Sequence, residues 1–370
     1  HGQSPDPEFK LALQAILAAC RDAGLAPTEI DGFASYGNER SDASRLAAAL
    51  GIPQLRSATM QWGGGGGCCA AVANAAAAIR AGMAECVVVF RSLAQGEYGR
   101  FGQSADLATV SGERAYLMPY GVLAPPQRFA MRVRRFMHDH GIRQEAMRAI
   151  ALASYRHAQS NPRAVMHGKP LDEAGYDASR WIVEPFRLYD CCMENDGAAA
   201  LILVDGQRAR DFPHKPVYLL GAAAGSGYRA GADPHNAPGY AGANFGTLAP
   251  ELYRMAGVSP QDVGVVQSYD NFTAGVAMAL MEHGFFRPEE ANEFLTLDNL
   301  SAPSGRLPLN TSGGNLAECY MQGFELVLEA VRQVRGTATA LADRADVALV
   351  TGGPMVTPTS NLLLGSEAAL

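Results

Sequence analysis

The side chains able to do chemistry in this 370-residue sequence gather around glycine-rich turns. One run, Gly63–Gly67, leads into Cys68 and Cys69; another, Gly313-Gly314, is soon followed by Cys319 and Tyr320. Tyr269 and Asp270 close an apolar segment of the same half. A loop that opens a helix presents unpaired backbone N–H groups and the positive end of the helix dipole, which favours developing negative charge. A phenol beside such a loop can donate one strong hydrogen bond to an oxyanion. It is a poor base, because an unperturbed tyrosine has a pKa of about 10 and needs a nearby cation, or a relay to water or to a carboxylate such as Asp270. The seven cysteines form no metal site: four make two adjacent pairs, 68–69 and 191–192, and no Cys/His spacing suits zinc.

Holding such groups in place takes a sizeable core. The chain is 48% hydrophobic and 18% charged, enough apolar surface to exclude disorder of its bulk. Its length predicts two or three domain-sized units. A net charge of −7 without a long basic run excludes nucleic acid as a main partner. No apolar run reaches the ~20 residues of a membrane span. The cysteines read as reduced thiols, so a cytoplasmic protein is expected. His1–Pro7 is polar and passes straight into a helix, and a first strand is expected to be missing from the sequence.

The chain is two related halves. Ala23–Tyr36 is echoed by Ala256–Tyr269 at a constant offset of 233 residues (23 to 256, 36 to 269). Each copy has a helix ending at Gly, a Pro that cannot continue it, and an apolar strand. A second echo runs from Gly63–Gly67 through a helix ending at Arg80, then Gly82, then a strand at Cys86–Phe90. Its counterpart runs from Gly313-Gly314 through a helix over Gln322–Arg335, then Gly336, then a strand at Val347–Thr351. The step from Gly82 to Gly336, 254 residues, carries position 65 onto 319. The halves are 1–205 and 206–370, joined by the polar linker Gly206–Lys215, with Val217–Ala224 opening the second. Arg91–Glu184 reads as an insertion with helices over Arg128–His140 and Gln144–Gln159. Alternating buried strands and helices predict α/β sheets covered by helices on both faces. The apolar Val87-Val88-Val89 run makes Cys86–Phe90 the expected edge through which two copies pair.

Several segments resemble the thiolase superfamily, in the branch of lipid-transfer-protein thiolases and steroid side-chain-cleaving aldolases. They are Trp62–Cys69, Ser179–Phe186, Leu188–Cys192, Asp196–Ala200, Tyr269–Thr273 and Asn310–Tyr320. The resemblance covers the chain from about residue 9 to about residue 365. It implies a thiolase fold: two duplicated βαβ halves in a five-layer α-β-α-β-α core with an inserted loop domain, dimeric, acting on acyl-CoA thioesters. The departures are informative. A condensing thiolase carries its nucleophilic Cys seventeen residues before the Gly that ends the next helix; here that position is Gly65. Its His-Asp-x-Phe motif is here Tyr269-Asp-Asn-Phe272, the His of Gly-His-Pro is replaced by Tyr320, and the second-thiol loop reads Thr351-Gly-Gly-Pro-Met355. Without a thiolate no covalent acyl-enzyme forms.

The aldolases that this chain resembles carry tyrosine at both motif positions. The implied reaction is retro-aldol cleavage of a β-hydroxyacyl-CoA with a steroid side chain, of the 17-hydroxy-pregnene-20-carboxyl-CoA type, to a ketosteroid and propionyl-CoA. The implied catalytic residues are Tyr320, Tyr269 and Asp270, with Tyr240 and Tyr228 as further phenols and Gly65, Gly66, Gly313 and Gly314 as the oxyanion and CoA loops. Which tyrosine donates and which accepts stays open, as does the alternative that each ring only fills a pocket. Arg132, Arg134 and Arg135 read as a solvated helix face, His235 and His283 as structural or exposed, Asn310 as a backbone turn, and Cys68 and Cys69 as small core residues. No metal or cofactor is expected, coenzyme A being part of the substrate. The implied partners are a second copy and an OB-fold/zinc-ribbon subunit that holds any zinc, together with a MaoC-like hydratase. The rivals are a Cys-independent thiolase or lipid-transfer-type acyltransferase, and an inactive scaffold subunit.

Overall fold

The computed structural model describes residues 4–98, 110–228, 230 and 239–370. Helix α1 (Glu8–Ala23) buries Leu11, Ala12, Ile16 and Cys20 along one side and stops at Gly24, whose φ of 70° suits a residue without Cβ. Pro27 turns the chain into strand β1 (Gly32–Tyr36), buried throughout. Helix α2 (Ala43–Leu50), strand β2 (Ser57–Gln61), helix α3 (Cys68–Arg80) and strand β3 (Cys86–Leu93) complete the first run. Helices α4 (Pro125–His140) and α5 (Gln144–Ser160) follow, then a small hairpin of β4 (Trp181–Val183) and β5 (Phe186–Arg187), and strand β6 (Gly197–Val204).

The second half opens with β7 (Tyr218–Gly225) and repeats the first at the predicted offset. Helix α6 (Leu248–Ala256) ends at Gly257 with φ 70°, Pro260 turns the chain, and β8 (Val265–Ser268) follows. Then come helices α7 (Thr273–Glu282), α8 (Gly314–Ala317) and α9 (Phe324–Arg335), and strands β9 (Val347–Gly352) and β10 (Thr359–Gly365).

Two four-stranded sheets result, ordered β2-β1-β3-β6 and β7-β10-β9-β8. In each, a parallel pair (β1 with β3, β8 with β9) lies beside an antiparallel neighbour, β6 or β10. Side-chain alternation assigns the layers. On β3, Val88 and Phe90 face outward against Ile16 of α1 and Leu46 of α2, while Val87 and Val89 face inward. Inside, α3 and α9 lie between the sheets, where Val72, Phe324 and Leu326 also meet Val350 and Leu362. On the far side, Ile150 of α5 and Met278 of α7 cover Val266, Leu349 and Leu363. Helix, sheet, helix, sheet and helix make five layers.

One expectation is corrected here. Strand β3 is no edge: β1 and β6 hydrogen-bond to its two sides, and its valines are shared between two helical layers. The outer strand on that side is β2, whose Met60 is 53% exposed. The inserted helices pack on the second half. Val133 and Phe136 of α4 and Met147 and Ile150 of α5 belong to the same buried cluster as Val266 and Leu349 of the second half. Among the described residues, no helix is long and apolar enough to cross a membrane.

Val88→Ala tests the placement of β3. Removing two methyl groups from a fully buried position should cost about 2 kcal/mol in denaturant unfolding. It should leave sedimentation unchanged, whereas a residue on a pairing edge would alter both.

Candidate active site

The site is assembled where β8 runs out. Asn310, held at φ 47°, pins the end of that strand: its Oδ1 accepts the Ser268 N–H at 2.7 Å and its Nδ2 donates to the Ser268 carbonyl at 2.9 Å. The next two residues go to different sides, as successive strand residues do. Tyr269 enters the layer between the sheets, and Asp270 meets the start of α8.

The Tyr269 hydroxyl lies 2.9 Å from the Tyr320 hydroxyl, with the rings edge to face at 75°. Both side chains are buried, 3% and 8% exposed. Glycines make room for this pair. A Cβ on Gly65 would stand 2.4 Å from the Tyr269 hydroxyl, and one on Gly323 would stand 2.4 Å from its Cδ2. The phenol therefore occupies the space into which a side chain at position 65 would project. The Tyr320 N–H donates to Asn195 Oδ1 at 2.7 Å.

The first half holds the segment that follows Tyr320. The Tyr36 hydroxyl lies 2.9 Å from the Gln322 carbonyl and 3.2 Å from that of Met321. Arg91 donates from Nε to Gln322 Oε1 at 2.8 Å and pairs with Glu39 at 2.9 Å, both charged side chains being fully buried. An ion pair so enclosed is satisfied only in this geometry, and breaking one partner of such a pair typically costs about 3–5 kcal/mol.

Burial pushes both phenols of the pair well above the usual tyrosine range, and nearby Cys192 adds to the effect. They are therefore donors at neutral pH, not bases. Asp270 is fully buried, and desolvation raises its carboxyl to about 6 against the hydrogen bonds it receives. Those come from the Asn315 N–H (2.8 Å), the Asn315 side-chain amide (2.9 Å) and the Leu316 N–H (3.4 Å). A Cβ on Gly314 would meet its Oδ2 at 2.4 Å. These contacts describe an anchor for α8 rather than the relay expected of Asp270.

The remaining predicted residues are spread out. Gly66 faces backbone, a Cβ there falling 1.8 Å from the Pro358 carbonyl, and a Cβ on Gly313 would lie 2.7 Å from the Glu318 nitrogen. Tyr228 is 81% exposed and lines a surface cleft of about 420 Å³ with Gly242 and Glu282, a cleft that includes neither Tyr269 nor Tyr320. Tyr240 lies beneath the Arg132 guanidinium, 5.4 Å from ring centre to Cζ. Arg132 is buried and donates to the Met355 carbonyl at 2.9 Å, which corrects its reading as part of a solvated face; Arg134 and Arg135 are exposed. His283 is buried between the Ala279 carbonyl and the Asn361 amide, and burial lowers it to about 4. His235 lies outside the described residues. All seven cysteines are free, with Cys68 and Cys69 fully buried. Among the described residues, no cluster of His, Cys, Asp and Glu suits a metal ion.

Sequence reasoning passed over Asn195, Arg91, Gln322 and Tyr36. Only Tyr36 had a signal: the repeat aligns it with Tyr269.

The fold is that of the thiolases, and residues 238–365 match the Thiolase C-terminal domain-like family. The chain is 39% identical to a steroid side-chain-cleaving aldolase of Thermomonospora curvata, over 97% of this chain and 93% of that protein. It is 37% identical to a 17-hydroxy-3-oxo-4-pregnene-20-carboxyl-CoA lyase of Mycobacterium tuberculosis, over 97% and 94%. A solved Ltp2-ChsH2(DUF35) aldolase superposes with a TM-score of 0.91 at 38% identity, covering 99% of this chain and 95% of that one. The chain belongs to the steroid side-chain-cleaving aldolases of the thiolase superfamily.

Substitutions at the two close approaches should separate fit from anchoring. Gly65→Ala drives a methyl into the Tyr269 phenol, so turnover should fall at least about tenfold, with an overpacking cost of roughly 1–3 kcal/mol. Asp270→Asn turns an NH2 donor toward an N–H group of α8 where a carboxylate oxygen accepted and should cost about 1–3 kcal/mol in thermal unfolding.

Proposed function

We propose that this enzyme performs retro-aldol cleavage of a tertiary β-hydroxyacyl-CoA bearing a steroid, of the 17-hydroxy-3-oxo-pregnene-20-carboxyl-CoA type, giving a ketosteroid and propionyl-CoA. One observation carries the reading: the Tyr269–Tyr320 hydroxyl contact stands where position 65 would have projected a nucleophile. A phenol in that space leaves no room for thiolate attack and offers a hydrogen bond in its place.

The pair's chemistry follows from counting protons. Two hydroxyls hold two protons, and one is engaged in the bond between them. The other can be directed to the thioester oxygen, where charge develops as the Cα–Cβ bond breaks. Its acidity is held down by burial, so it stabilises the enolate by donating without giving up its proton in the resting state. The same bond lets a proton from the β-hydroxyl pass from one oxygen to the other. Gly65, Cys192 and Cys319 are only part-buried beside the enclosed phenols, and the substrate enters from their side.

In this reading coenzyme A belongs to the substrate and this chain needs no metal. Two copies pair through the outer edge of β2, where Met60 and Trp62 are exposed. A DUF35-type subunit with an OB-fold and zinc ribbon binds as the aldolase partner and holds any zinc, and a MaoC-like hydratase supplies the β-hydroxyl by hydrating an enoyl-CoA.

Tyr320→Phe and Tyr269→Phe should each lower kcat for ketone release by about 10²-fold or more while folding and partner binding survive. The double variant should be little worse than the worse single one, because the hydroxyls act as a unit. If both turn over at the wild-type rate, the scaffold reading replaces this one. Cys68→Ala and Cys69→Ala, single and combined, should stay within about a few-fold in turnover, apart from folding losses of ~0.5–3 kcal/mol. An acyl adduct trapped on either thiol would count against the aldolase reading.

A further inference from the structure

The two phenols of the pair are held in different ways. Tyr269 continues a strand, and its N–H donates to the Thr351 carbonyl of β9 at 3.0 Å. Tyr320 lies in the irregular stretch between α8 and α9. Its N–H has a side chain for a partner instead, Asn195 Oδ1 at 2.7 Å, in a buried bond. Asn195 is itself 2% exposed. A backbone N–H can only donate, so the amide oxygen must face it, and this fixes which way the Asn195 side chain is turned. Removing the oxygen would leave a buried N–H unpaired, which the chain relieves by moving.

Asn195 belongs to a segment, 190–196 between β5 and β6, that is fastened to both phenol-bearing loops. At its start, Asp190 Oδ1 accepts the Thr273 hydroxyl at 2.6 Å. The Cys192 N–H donates to the Asn271 carbonyl at 2.9 Å, two residues beyond Tyr269. The Met193 N–H donates to the Asn315 carbonyl of α8 at 3.2 Å. At its end, Asp196 Oδ1 accepts the Gly96 N–H of the first half at 3.0 Å. The segment is thus a strap, running from the Tyr269 loop across α8 to the Tyr320 backbone, with both of its ends tied down.

We propose that Asn195 is the positioning residue of the phenol pair: through the strap it holds the Tyr320 backbone at a fixed place relative to Tyr269, and so sets where the Tyr320 hydroxyl stands. It acts through Tyr320 and does not touch the substrate. This rests on the aldolase reading above. A tyrosine hydroxyl sits at the far end of its side chain, so a small rotation at Cα is magnified there. The hydroxyl contact at 2.9 Å tolerates little of that. A donor aimed at developing charge works only when it is in place beforehand. Tyr36 and Arg91 hold the chain after Tyr320, and Asn195 holds Tyr320 itself.

The test follows ketone release by the enzyme with its partner. Asn195→Ala should lower kcat at least about tenfold with KM within about threefold, because misplacing such a group by about 1 Å can cost about 10²-fold. Asn195→Asp offers an oxygen to the same N–H whether or not it is protonated, and should recover at least about fivefold over Asn195→Ala. The deciding comparison is made in the Tyr320→Phe background. A residue that acts through that hydroxyl has nothing left to place once it is gone, so Asn195→Ala should there cost less than about twofold in kcat. Asn195→Leu, which fills the volume without the acceptor, repeats the comparison if the alanine variant does not fold. Val88→Ala, which lowers stability away from the pair, should keep its kcat. Wild-type kcat in the variants lacking the acceptor would overturn the proposal, as would Asn195→Asp no better than Asn195→Ala. The same loss with and without the Tyr320 hydroxyl would also overturn it, since Asn195 would then meet the substrate itself or serve the fold alone. Wild type releasing no ketone at all would instead overturn the aldolase reading, and this role with it.

Discussion

A phenol filling the volume of a missing side chain is the constraint around which the rest of the site is arranged. Tyr269 can reach the Tyr320 hydroxyl only because residues 65 and 323, one from each half, have no Cβ. Steric exclusion of this kind is worth far more than the hydrogen bond it permits. A net hydrogen bond stabilises by about 0.5–1.5 kcal/mol, whereas a carbon atom forced to 2.4 Å must move the ring or the backbone. The packing therefore decides where the hydroxyls are, and the hydrogen bond sets their mutual orientation.

That arrangement depends on both halves at once. The segment carrying Tyr320 is tied to the first half by Tyr36 and by Arg91, whose charge is neutralised by Glu39 inside the protein. The loop carrying Gly65 is tied to the second half where the Ser360 hydroxyl donates to the Gly66 carbonyl at 2.6 Å. Each half thus positions the other's contribution. A rigid frame matters because a donor aimed at developing charge works by being in place before the charge appears.

Much of the frame was legible in one dimension. The 233-residue echo places Gly24 and Gly257 at equivalent helix ends and β1 and β8 at equivalent strands, because helix termination by glycine and proline is local chemistry. The vacancy at position 65 was legible too, being a matter of counting. Where the reading failed, the information was not local. Val87-Val88-Val89 is apolar whether a strand lies at an edge or between neighbours, and only the antiparallel return of β6 from more than a hundred residues away shows that β3 is internal. Arg132 looked solvated because its acceptor, the Met355 carbonyl, is 223 positions distant. Asn195 and Arg91 gave no sequence signal for the same reason: a polar residue announces a role only when its partner is known.

The tyrosines and the glycine at 65 are therefore one character rather than three. A thiol restored at 65 would meet the Tyr269 ring and could not fit while that ring stays, and a smaller residue at 269 would leave Tyr320 without its neighbour. The same frame can host both thiolysis and aldol cleavage because the two reactions share their demand on it: an enolate oxygen of a thioester to stabilise and a proton to move. What changes is the group that meets the carbon skeleton. A nucleophile makes a bond to it, whereas in the proposed reading a buried pair of phenols leaves the skeleton free to break and handles only the proton and the charge.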